Sequence, residues 1–180
     1  MKYPIGVQTF EKLRNEGYVY VDKTALVYKM AQEGSCYFLS RPRRFGKSLL
    51  LSTLKAYFEG KRELFQGLAI SELETEWNAY PVLHLDLNAK SFTKIQNLYD
   101  ILNDQLTIYE QKYECVPVDM SPEGRFRQLI RSARAKTGKE VVVLIDEYDK
   151  PLLDVLDTDF SLDVNGEKIL LEDHHRNILK

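Results

Sequence analysis

Arg41-Pro42-Arg43-Arg44-Phe45-Gly46-Lys47-Ser48 concentrates more chemistry than any other stretch of this chain. Its last three residues are the Gly-Lys-Ser of a phosphate loop. Gly46 lets backbone amides approach a phosphate, Lys47 brings a point charge to β- and γ-phosphates, and Ser48 offers a hydroxyl to a magnesium ion. A helix opening at this point adds its positive dipole end. The motif is a Walker A sequence in which Arg41 stands where the first glycine belongs. Its expected nucleotide contacts are Arg43, Arg44, Phe45, Gly46, Lys47, Ser48 and Leu49. Downstream, Val141-Val142-Val143-Leu144-Ile145 runs into Asp146-Glu147. That is a Walker B pattern, in which Asp146 and Ser48 hold the metal and Glu147 orients or deprotonates the attacking water. Lys47 and Glu147 are therefore the expected catalytic residues, and Asp149 is a secondary candidate near the metal.

Both motifs need strands and helices to aim them, and the apolar patterning supplies these. Asp22 is placed to cap a helix that Gly34 ends. Cys36-Tyr37-Phe38-Leu39 has the length and composition of a buried strand leading into the loop. Ser48 to Glu59 carries Leu49, Leu50, Leu51, Leu54 and Phe58, a helix packed on more than one side, with Gly60 as its stop. Val82 to Leu87 reads as a strand. From Ser91 to Tyr113, apolar residues recur at steps of three and four, giving a long amphipathic helix. Ser121-Pro122-Glu123 begins another, with Phe126, Leu129, Ile130 and Ala133 inward and Gly138 past its end. Val141 to Ile145 is expected to be a central parallel strand buried on both faces, and Asp149-Lys150-Pro151 a tight turn out of it. Alternation of strand and helix is the α/β signature.

Composition bounds what these elements can build. The chain has 180 residues, enough for one domain with a real core, and 9 Gly and 6 Pro rule out fibrous or low-complexity character. No apolar run approaches a membrane span and the first residues lack a secretory signal, so the expected setting is the cytoplasm, with no membrane partner. Two cysteines, Cys36 and Cys115, are too few for a disulfide framework. The formal charge of -2 hides an asymmetry. Ser40 to Arg62 holds seven basic residues against one acidic, and Ile145 to His175 ten acidic against two basic. A polyanion and a cation held between such segments would explain this, as would solvated faces.

Tyr3-Pro4-Ile5-Gly6, Tyr20-Val21-Asp22-Lys23-Thr24, Phe38 through Ser48, Leu64-Phe65-Gln66-Gly67-Leu68 and Leu144 through Pro151 together resemble the AAA-ATPase-like domain of bacterial proteins, many of which continue into a PD-(D/E)XK nuclease-like domain. The resemblance spans nearly the whole chain, and Arg41 in place of glycine belongs to its pattern. It implies an α/β P-loop NTPase of the additional-strand class, a three-layer αβα sandwich around a parallel sheet, binding ATP with magnesium. It also implies that Asp22 and Lys23 lie near the adenine, that a nuclease-like domain is a partner in cis, and that the sensor strand falls after Lys180. Residues 1–180 are then the N-terminal part of one domain, incomplete at its C-terminus.

Two further function classes fit the residues. One is a nucleotide-gated switch or scaffold that binds ATP but scarcely hydrolyses it, coupled to a nuclease-like partner domain; an oligomer is compatible with either reading. The other is a nucleic-acid-binding module using the Arg41, Arg43 and Arg44 cluster. Arg127, Arg131 and Arg134 share a helix face, best explained as solvated. His84 reads as a hydrogen-bonded strand residue, and His174-His175 as neighbours that point apart on a helix rather than a metal pair. The aromatic residues fall at core-type positions, with no platform for single-stranded nucleic acid.

Overall fold

The computed structural model describes residues 1–180 except Arg43, Ala89, Asn165, Gly166 and Lys180, and the side chains of Val164 and Glu167. It divides into two compact units, Met1–Val82 and Leu83–Lys180.

The first unit is helical. It contains α1 (Phe10–Asn15), α2 (Thr24–Glu33), α3 (Lys47–Phe58), a 3-10 turn at Arg62–Phe65 and α4 (Ile70–Leu73). Its core is aromatic. Phe10 lies 4.8 Å from Phe65 and 5.3 Å from Tyr20 between ring centroids, and Phe65 lies 5.2 Å from Trp77. Such ring pairs add about 0.5–1.5 kcal/mol each beyond the area they bury. Polar links then fix the backbone around the rings. The Phe10 amide donates to Ser52 Oγ at 2.6 Å, which ties the start of α1 to α3. Arg14 donates to the carbonyls of Leu64 (2.8 Å) and Gln66 (2.7 Å), which holds the 3-10 turn against α1.

The second unit is mixed α/β. Strands β1 (Val82–Asp86) and β2 (Val142–Asp146) form a small parallel sheet. They are joined by α5 (Ile95–Tyr113) and α6 (Pro122–Thr137). Ser121 caps α6 as its sequence requires, accepting from the Gly124 amide at 3.1 Å, and Gly138 ends it at φ 67°. Leu83, Leu106, Tyr113, Leu129 and Ala133 form the core between these helices and the sheet. Beyond β2 come α7 (Lys150–Leu153), an antiparallel hairpin of β3 (Ser161–Val164) and β4 (Glu167–Leu170), and α8 (Leu171–Ile178). A second cluster of Leu87, Phe92, Leu98 and Ile101, with Ile178 and Leu179, seats α8 on α5. Among the described residues, no helix is long and apolar enough to cross a membrane.

Several expectations change here. Cys36–Leu39 is not a strand: it has no ladder hydrogen bonding, and Phe38 is 78% exposed. A strand exists by virtue of a neighbour's backbone, so an apolar, β-prone run without one stays irregular. β2 is not buried on both faces, because Val143 and Ile145 are exposed while Val142 and Leu144 are half-buried. Its two-stranded sheet is covered on one face by helices. The segment at Asp149-Lys150-Pro151 is a turn of helix, with Pro151 in its first turn. α5 begins at Ile95 rather than Ser91.

Candidate functional site

The phosphate-loop residues lie in the first unit. The Phe45 amide donates to the Pro42 carbonyl at 3.3 Å, closing a turn. Arg44 (φ 68°) and Gly46 (φ 76°) then both take left-handed backbone conformations. For Gly46 this costs little, and for Arg44 it is a strained state of the kind that clusters at ligand sites. Gly46 is the N-cap of α3 and no side chain caps this end. The Leu50 amide donates to the Gly46 carbonyl at 3.0 Å, the helix's first internal bond. Lys47, Ser48 and Leu49 therefore occupy the first turn, half-buried, where the helix dipole favours an anion. Arg41, Arg44 and Phe45 are exposed beside it. Arg43 lies outside the described residues.

Asp22 and Lys23 precede α2 in the same unit. Asp22 Oδ1 accepts from the Thr24 amide (2.8 Å) and hydroxyl (2.7 Å), and Oδ2 accepts from the Ala69 amide at 2.7 Å. Thr24 Oγ1 in turn accepts from the buried Ile70 amide at 3.1 Å. Burial opposes the charge of Asp22, but these donors outweigh it and hold its carboxyl below the ordinary aspartate range. The pair thus clamps the start of α2 to the start of α4. Lys23 itself is the N-cap and is exposed, so the capping carboxylate sits one residue earlier than a cap normally does.

The acidic strand end lies in the second unit. Asp146 closes β2, 9% exposed, and its Oδ1 accepts from the Glu147 amide at 3.0 Å. Its carbonyl accepts from the Leu87 amide at 3.1 Å, the last rung joining β2 to β1. Among the described residues no lysine or arginine pairs with this carboxylate. A nearly buried carboxylate with no lysine or arginine partner among the described residues fits the donor chemistry of magnesium, a hard ion that prefers one or two carboxylates and water. Glu147 follows at φ 53°, a left-handed conformation that turns the chain sharply out of the strand. Its carbonyl accepts from the Lys150 amide at 3.0 Å. Asp149 is exposed at the start of α7.

Two residues escaped the sequence reading. Asp86 ends β1 next to Asp146 on the paired strand, a second carboxylate at the same end of the sheet. Its position at the carboxyl end of the Val82 strand was the available signal. Arg125 is buried in α6, donating to Glu110 Oε1 (2.9 Å) and Oε2 (2.7 Å), to Asn103 Oδ1 (2.5 Å) and to Thr107 Oγ1 (2.9 Å). Its spacing of four from Leu129 and eight from Ala133 marks the inward face. Arg127, Arg131 and Arg134 do lie on the exposed face, with Arg134 paired to Glu140 at 2.7 Å. His175 is fully buried, its Nε2 2.8 Å from the Phe92 carbonyl.

Comparison with known proteins matches these features to a family. A relative from Azotobacter chroococcum mcd 1, described as "Uncharacterized protein in vnfD 5'region", is 45% identical over 157 residues. That alignment covers 86% of this chain and 30% of the relative, so the chain spans under a third of that protein's length. No solved structure matches. The family model described as "AAA-ATPase_like: Predicted AAA-ATPase" matches residues 4–177, and the chain belongs to that family.

Proposed function

We propose that this chain is the nucleotide-binding part of a magnesium-dependent ATPase. Family membership supports nucleotide binding. The single observation that carries the finer reading is the start of α3, where left-handed Gly46 presents an uncapped helix end with Lys47 and Ser48 in its first turn. In this reading Arg44, Phe45, Gly46 and Leu49 contribute to the phosphate cradle and Arg43 to the loop's positive charge. Lys47 neutralises charge on the β- and γ-phosphates, and Ser48 with Asp146 provides oxygen ligands for magnesium. When bound, the metal stabilises negative charge on the phosphate oxygens. Glu147 orients water for attack, while Asp22 and Lys23 flank the base. The setting is the cytoplasm, and in a longer protein the domain drives or regulates a nuclease-like domain.

The test is a titration of the full-length protein with a fluorescent ATP analogue, paired with phosphate release. Lys47→Ala should abolish both binding and turnover. Glu147→Gln should bind like the parent and turn over at least about a hundredfold more slowly. Tight binding without turnover in the parent protein would favour a nucleotide-gated switch. Salt-sensitive DNA or RNA binding that survives Lys47→Ala, with no ATP binding, would favour the arginine-cluster reading.

A further inference from the structure

Leu153, Leu156 and Phe160 are 55%, 48% and 46% exposed in the second unit, on the stretch that leads from α7 into β3. Local hydrogen bonding sets which side chains turn outward. The amides of Leu153 and Asp154 donate to the carbonyls of Asp149 and Lys150, at 2.9 and 3.0 Å, and the Val155 amide donates to the Leu152 carbonyl at 3.2 Å. On that winding Val155 is turned inward, 1% exposed, and Leu152 is half-buried. Leu153 and Leu156 each follow one of these by a single position, so they lie three apart on the outer side. Asp157, at φ 56°, then turns the chain, and the Leu171 amide donates to the Phe160 carbonyl at 2.8 Å, which fixes Phe160 at the foot of the β3–β4 hairpin. A lone exposed leucine means little. Three large apolar side chains in one short segment, each about half exposed, are the mark of a surface that a partner covers.

The charge beside them has one sign. Asp149, Asp157 and Asp159 are exposed, and among the described residues none of the three pairs with a lysine or arginine. Lys150, the one basic residue between Tyr148 and Phe160, is partly buried and committed to Asp154 at 2.8 Å.

This combination sorts the occupants. Unpaired acidic groups repel nucleic acid and the anionic face of a membrane. Among the described residues no three histidine, cysteine or carboxylate side chains converge to hold a metal ion, and leucine and phenylalanine offer a metal no donor. An extended peptide needs free backbone to pair with, whereas the carbonyls of Asp149, Lys150, Leu152 and Val155 are all taken within the turn. An α-helix satisfies its own backbone and meets a partner through side chains alone.

We propose that the surface of Leu153, Leu156 and Phe160 docks an amphipathic helix of a partner protein, whose apolar stripe covers these three side chains and whose flanking lysines or arginines meet Asp149, Asp157 and Asp159. This surface serves a protein partner whether or not the chain binds a nucleotide.

The probe is a fluorescein-labelled peptide of leucine and lysine at helical spacing, about 14 residues long, titrated with the full-length protein and followed by anisotropy. Saturable binding with Kd at or below about 10 μM is expected in about 0.05 M sodium chloride, weakening about tenfold at about 0.5 M. The same peptide with glutamate for lysine should not bind. Leu153→Ser combined with Leu156→Ser, and separately Asp157→Asn combined with Asp159→Asn, should each weaken binding about tenfold. Neither pair should change the melting temperature, because all four positions are exposed and asparagine tolerates the left-handed backbone of Asp157. Val116→Ser, at an apolar position 81% exposed elsewhere in the second unit, should leave binding unchanged. Absence of saturable binding, equal binding of the glutamate peptide, unchanged affinity in either double variant, or an equal loss in Val116→Ser would overturn the proposal. So would self-association of the protein that Leu153→Ser with Leu156→Ser abolishes while the peptide stays unbound, which assigns the surface to a second copy of this chain.

Discussion

The side-chain amide of Gln105 closes the outer edge of β1 at Asp86. Its Oε1 accepts from the Asp86 amide at 2.7 Å and its Nε2 donates to the Asp86 carbonyl at 2.9 Å. Two residues earlier, the Tyr109 hydroxyl does the same for His84, accepting from its amide at 2.8 Å and donating to its carbonyl at 3.1 Å. α5 thus takes the place of a neighbouring strand and blunts an edge that would otherwise pair with other chains.

Removing that substitute strand has a calculable consequence. Gln105→Ala opens a donor and an acceptor of β1 to water at an exposed position and should cost about 0.5–1.5 kcal/mol, measured by urea denaturation. Combined with Tyr109→Phe, it should also promote association between molecules, visible by light scattering. A double variant as stable and as monodisperse as the parent would show that this edge needs no cover.

The buried pair Arg125 and Glu110 has a different signature. Both side chains are under a tenth exposed and joined by two hydrogen bonds. Arg125→Ala strands a buried carboxylate and should cost about 3–5 kcal/mol, whereas Arg125→Met with Glu110→Leu should restore most of the loss. A thermal melt series over the single and double variants checks this.

Glu147 separates stability from activity. Its φ of 53° places an L-residue where glycine is at ease. Glu147→Gly should raise stability by about 1 kcal/mol by relieving that conformation, while abolishing ATP turnover in the full-length protein. Glu147→Ala should lose turnover with no such gain. A Glu147→Gly protein that melts lower than Glu147→Ala would refute the strain.

Acid should weaken the fold in two stages. Burial, with His175 alongside, holds the His174 imidazole below its ordinary value of 6.5. The unfolded chain then takes that proton first, so stability falls as the pH drops from about 6.5 through the lower folded value. Asp22, Glu74 and Asp154 form the second stage. For Asp154, burial opposes the charge but Lys150, at 2.8 Å, and the Phe92 amide, at 3.0 Å, outweigh it. All three carboxyls lie below their ordinary values, so their contribution is full above about pH 5 and is lost as the pH falls through 4 and lower. Melting temperature followed from pH 8 to pH 3 should show both stages, and His174→Phe should flatten only the upper one.

What could be read from the residues is what local chemistry decides. α6 begins at Ser121-Pro122 and ends at Gly138 because a cap, a proline and a left-handed glycine act within a few residues of themselves. The start of α3 was legible to within one residue for the same reason, expected at Ser48 and found at Lys47. Asp146 and Glu147 were placed correctly at the end of a strand because apolar β-branched runs and charge punctuation are also local signals. Tertiary structure decided the rest. Whether Cys36–Leu39 becomes a strand depends on a backbone neighbour that composition does not encode, and the same dependence leaves Val143 and Ile145 exposed on β2. The engagement of Asp22 with Ala69, and of Arg125 with Glu110, joins residues 47 and 15 positions apart, and no local pattern records which distant donor a carboxylate will meet. Local sequence determined where the helices and the charged motifs fall; only packing determined which faces are covered and which polar groups are already taken.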